Sequence, residues 1–106
     1  MRKLMQIVPK PGVNLYGAMV TKEIGLSRAN KGTFFRSGDK ERNRAKWSHK
    51  TYNGWITFER SAGETVTVEV QCLAEDGLWQ IAQAFIGWVD RHFGKEVLAI
   101  NIQNVE

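Results

Sequence analysis

Trp47-Ser-His-Lys-Thr-Tyr-Asn-Gly-Trp-Ile-Thr-Phe-Glu-Arg-Ser-Ala-Gly-Glu-Thr-Val-Thr-Val-Glu-Val-Gln-Cys72 is the stretch on which the fold turns. Asn53-Gly54 is a strong hairpin signal, because a type I′ turn needs positive φ at both central residues. With those two residues as the loop, Tyr52 pairs with Trp55, Thr51 with Ile56, His49 with Phe58 and Trp47 with Arg60. One face of the ribbon then carries Trp47, His49, Thr51, Ile56 and Phe58. The other carries Ser48, Lys50, Tyr52, Trp55, Thr57 and Glu59. The first, being more apolar, is expected to face the core.

Ser61-Ala62-Gly63 suits a three-residue loop with Gly63 left-handed. That register sets Phe58 opposite Val66 and Ile56 opposite Val68. From Thr65 to Cys72 the alternation is unbroken, with Val66, Val68, Val70 and Cys72 on one side and polar residues on the other. A one-residue slip would put threonines against the hydrophobic row. A three-stranded antiparallel meander is therefore expected.

Working outward, Leu78, Ile81, Ala82, Phe85, Ile86, Val89 and Phe93 fall at the spacing of one broad helical face. The helix is expected over 76–93, with Asp76 as N-cap and Gly94 as a left-handed C-cap. Trp79 and Trp88 lie off the main stripe, and Gly87 leaves room for another backbone, so a second packing flank is expected there. Val97 to Gln103 alternates again and reads as a returning strand with Leu98, Ile100 and Ile102 inward. Upstream, residues 3–8 read as a strand ended by Pro9 and Pro11, and 33–36 as a short strand. Residues 13–24 fit a helix or a strand, and 37–43 have the composition of an exposed loop.

The expected architecture is α+β. A mainly antiparallel sheet of four to six strands has the long amphipathic helix packed on one face and is followed by a final strand, all in one domain over residues 1–106. The expected core is Trp47, Ile56, Phe58, Val66, Val68, Val70, Leu78, Ile81, Phe85, Val89, Leu98 and Ile100. A chain of 106 residues buries enough surface to fold without a metal or a disulfide. Cys72, the sole cysteine, reads as a small buried hydrophobe in a reducing compartment. The opening residues lack an apolar run of signal-peptide length, and no stretch approaches a membrane span, so a cytoplasmic location is expected.

The formal charge is +4, but its distribution says more. Residues 1–27 carry +3, 28–50 carry +6 and 51–106 carry −5. A chain polarised in this way meets an external anion with its basic part, or the acidic part of another protein. Catalysis has little support. His49 falls on the core face and His92 in the last turn of a helix, neither near a telling nucleophile. Ser37-Gly-Asp-Lys40 matches Ser-x-x-Lys without its companion motifs. No enzyme activity, metal or cofactor is expected.

What remains is the basic stretch beside the hairpin. Arg44, Lys46 and Lys50 share parity with Tyr52, and so are expected on the face of a Tyr52–Trp55 pair. Rings and cations on an exposed ribbon are the ingredients of a single-stranded nucleic-acid platform. In this reading Arg36, Lys40, Arg42, Arg44, Lys46 and Lys50 hold phosphates, while Tyr52 and Trp55 stack on bases. Tyr–Trp pairs also stabilise hairpins, and surface lysines also protect edge strands. The alternative is a homodimeric protein-interaction module whose basic stretch meets an acidic protein surface.

Overall fold

The computed structural model describes residues 2–39 and 41–105, with all their side chains except that of Glu75. Six strands form one antiparallel sheet: β1 (Arg2–Pro9), β2 (Phe34–Arg36), β3 (Arg44–His49), β4 (Trp55–Arg60), β5 (Val66–Gln71) and β6 (Val97–Val105). Their spatial order is β2-β3-β4-β5-β1-β6. Two helices, α1 (Leu15–Arg28) and α2 (Glu75–Phe93), complete the α+β fold. No helix among the described residues is long and apolar enough to cross a membrane.

Residues 13–24, ambiguous in sequence, are mostly helix. Asn14 settles the matter: its side-chain oxygen accepts from the Gly17 backbone N–H at 3.0 Å and so caps α1. Leu15, Tyr16, Met19 and Glu23 then form its buried stripe. Both helices lie on one face of the sheet, since Phe58 of β4 touches Tyr16 of α1 (5.6 Å between ring centroids) and Phe85 of α2 (6.1 Å). Trp47 sits within an aromatic cluster, edge-on to Phe58 at 4.6 Å and to Trp88 at 5.0 Å. Such pairs contribute about 0.5–1.5 kcal/mol each beyond the area they bury.

The meander forms with its faces as expected, but in other registers. Trp47 faces Ile56 rather than Arg60, a slip of four residues. Phe58 faces Val68 rather than Val66, a slip of two. Both slips are even, and a strand repeats every two residues, so every core side chain stays inward. The first slip arises because β3 ends at His49. His49 Nδ1 accepts the backbone N–H of Thr51 (2.9 Å) and of Tyr52 (3.1 Å), which closes a longer loop than Asn53-Gly54 alone would make. The second arises because Gly63 (φ 70°) is followed by Glu64, also left-handed (φ 65°). The Ser61 N–H reaches the Thr65 carbonyl across a wider connection.

Four local expectations are corrected. Ala74, not Asp76, is the N-cap of α2, and no side chain caps it. Gly94 is right-handed, with φ −55°. Trp88 belongs to the core, whereas Trp79 is 45% exposed with Lys3 Nζ 4.9 Å from its ring centroid. Leu98 is 62% exposed and Ile102 40%, while Ile100 is half-buried against the core. The cause is position. β6 is an edge strand, and its register with β1 shifts between Val8 and Pro9, which leaves Leu98 with no partner on β1. The other expected core residues are all buried, as is Cys72.

Candidate nucleic-acid interface

Because both helices cover one face, the other face of the sheet is open, and strand register determines what lies on it. Phe35, Ser48, Trp55, Gln71 and Arg2 are successive cross-strand partners and form one row over five strands. Beside it run Lys46, Thr57, Glu69 and Leu4, and then Arg44, Glu59, Thr67 and Gln6. Strands are spaced about 4.8 Å apart, so Phe35 and Trp55, two strands apart with Ser48 between, stand roughly 10 Å from each other. Phe35 is 38% exposed and Trp55 half-buried. Lys46 lies diagonal to Trp55, with Nζ 5.4 Å from its ring centroid, a cation–π contact.

Charge on this face is uneven. Arg44 and Lys46 both stand on β3, with Glu59 directly across from Arg44. Toward β5 and β1, Arg2 lies 3.5 Å from Glu69, and Gln71 donates to the same carboxylate. The cationic part of the face is therefore the β3 side, next to the two rings.

The eight residues singled out in sequence do not form one surface. Arg44, Lys46 and Trp55 come together as described. Tyr52 does not pair with Trp55, because it has left the strand to stack on His49 (4.8 Å, 26° between planes). His49 in turn meets Phe34 edge-on at 4.8 Å. Lys50 is past the end of β3, its backbone N–H on the carbonyl of Thr33, the residue before β2 (2.9 Å). Arg36 pairs with Trp47 and so has helix-side parity. Lys40 lies outside the described residues.

Arg36, Arg42 and Arg44 line a cleft of about 230 Å³ between α1 and the β2–β3 connection, walled by Tyr16, Val20 and Trp47. Asp39, Glu41 and Glu23 also line it, so arginines and carboxylates balance in number. Glu23 is nearly buried and accepts from Ser27 Oγ at 2.5 Å. Burial, with Glu41 nearby, pushes the Tyr16 hydroxyl above its ordinary pKa. Arg36 thus lines this cleft and not the open face.

No family model matches this chain, and neither a curated protein nor a solved structure does. Function must therefore be argued from the site.

Phe35 was not foreseen as a site residue. The signal lies in Thr33 to Arg36, where two adjacent phenylalanines must face opposite ways in a strand. Sequence alone could not say which of them faced out. Among the described residues no three His, Cys, Asp or Glu side chains gather to hold a metal.

Proposed function

We propose that this chain is a non-enzymatic domain that binds single-stranded nucleic acid on the open face of its sheet. Phe35 and Trp55 would stack on bases, and Lys46 and Arg44 would hold phosphates. The observation that carries the reading is the pair of outward rings about 10 Å apart on one cross-strand row, with Lys46 against one of them. Stacking contributes about 1–3 kcal/mol per base whatever the base, and nearby cations neutralise the backbone. A cytoplasmic location accompanies this reading, supported by Cys72 as a buried free thiol.

The test is fluorescence anisotropy with labelled single-stranded DNA and RNA across a salt series. About five phosphate contacts, most of the six basic residues singled out in sequence, would give a log–log salt slope near −3.5. With only Arg44 and Lys46 of the basic stretch on the face, and Arg2 beside Glu69, about two contacts give a slope near −1.4. Trp55→Ala should lose about 1–3 kcal/mol of binding, and Phe35→Ala a similar amount. Tyr52→Ala should leave affinity unchanged, because that ring is engaged with His49. Flat titrations at low salt, or loss on Tyr52→Ala but not on Trp55→Ala, would overturn the proposal.

A further inference from the structure

The two edges of the sheet differ. β2 is three residues long and ends on Arg36. β6 is nine residues long, Val97-Leu-Ala-Ile-Asn-Ile-Gln-Asn-Val105, with no charged residue, proline or glycine. Its backbone pairs with β1 on one side, and no described strand pairs with it on the other. Edge strands of monomers are kept safe by shortness, by lysine or by proline. β6 has none of these, and its one irregularity, at Leu98, lies at its start and leaves residues 99–105 regular. The exposed Leu98 and Ile102 lie on it, and Trp79 stands close by, since Lys3 both contacts the Trp79 ring and donates to Asn104.

We infer that β6 pairs antiparallel with β6 of a second copy about a two-fold axis, joining two sheets into one of twelve strands. The sequence of the strand favours a copy of itself over another partner. Full antiparallel overlap of residues 97–105 places Asn101 on the axis, opposite its own equivalent. Ile100 then faces Ile102 of the second copy, and Ile102 faces Ile100, so four isoleucines meet on the helix side. Ala99 faces Gln103, and the pairing is regular over residues 99–103, inside the irregularity at Leu98. A charged strand paired with itself in this way sets like charges near the axis against each other. This strand has none to oppose, and the closed symmetry leaves no further edge for a third copy at β6. The pairing is independent of whether the open face binds nucleic acid, because Phe35, Lys46 and Trp55 lie three or more strands from β6.

The whole chain is examined by light scattering and sedimentation over two decades of concentration. The expected mass is that of a dimer, and Ile102→Lys should return it to that of a monomer with an unchanged far-ultraviolet spectrum. Asn101→Cys provides a second measurement. Directly opposite residues of antiparallel strands have Cα atoms about 4.5–5.5 Å apart, within disulfide range. Under mild oxidation this variant should become covalently dimeric, whereas Gln103→Cys, opposite Ala99, should not. Cys72 is buried and stays silent. A monomer at every concentration overturns the inference, as does a dimer that survives Ile102→Lys or one that Asn101→Cys fails to cross-link.

Discussion

Gly54 opens β4 at the point where the β3–β4 loop crosses the end of β5. Its φ is +108°, and a Cβ built there would lie 2.5 Å from the Gln71 carbonyl oxygen and 3.2 Å from Cys72 Cβ. Two costs follow for Gly54→Ala. A side chain in that backbone region costs about 1–3 kcal/mol. The carbonyl must also retreat by roughly half an ångström, and it belongs to the residue paired with Trp55, so a sheet hydrogen bond worth about 1 kcal/mol is strained or lost. The total is about 2–4 kcal/mol. Gly63→Ala separates the two costs, because Gly63 has φ +70° and nothing within 4 Å of its added Cβ. It should cost only about 1–2 kcal/mol, the left-handed backbone penalty. In a domain of this size each kcal/mol shifts the melting temperature by about 4–8 °C. Thermal melts and urea titrations followed by tryptophan fluorescence should place Gly54→Ala roughly 6–12 °C below Gly63→Ala, with the urea slope unchanged. Equal losses at the two sites would refute the reasoning, since they would mean that the close approach to Gln71 carries no energy.

Gly87 stands mid-way along α2 with nothing within 4 Å of an added Cβ. Gly87→Ala should therefore stabilise the fold by about 1 kcal/mol from helix propensity alone. A loss in the same urea titration would show that something packs on that flank. Stability should also fall in mild acid. Burial pushes the His49 pKa below its ordinary 6.5, and burial with Lys22 and Arg91 does the same to His92. The unfolded chain then binds protons more readily than the folded one. The stabilisation is whole above about pH 6.5 and lost as pH falls through the depressed folded values. His49→Asn, whose Oδ1 can accept the same two backbone N–H groups, should flatten the dependence of the urea midpoint on pH between about pH 7 and 5. A slope identical to that of the parent would count against a role for His49.

The hairpin shows how far local chemistry reaches. Alternation from Thr65 to Cys72 and around Ile56 and Phe58 assigned faces correctly, because burial on one face penalises every odd slip. Register was beyond it. Even slips cost nothing in patterning, and the choice among them rests on contacts that a turn motif does not reveal, such as the His49 ring under the Thr51 and Tyr52 amides. The site suffered for the same reason. Trp55 and Lys46 were placed by parity and stayed together, whereas Tyr52 needed the strand to continue past His49, and it does not.

From the sequence by itself came the α+β class, the meander, the span of α2 and most of the core, because each rests on periodicity within one segment. The tertiary structure decided the rest. It inserted β1 between β5 and β6, made β6 an edge that leaves Leu98 and Ile102 in solvent, and laid both helices on one face so that the other stays open. It also turned Phe35 outward beside Trp55 while sending Arg36 to the helix side. These outcomes depend on which strands become neighbours. Strand order is set by the packing of segments distant in the chain, and no local repeat records it.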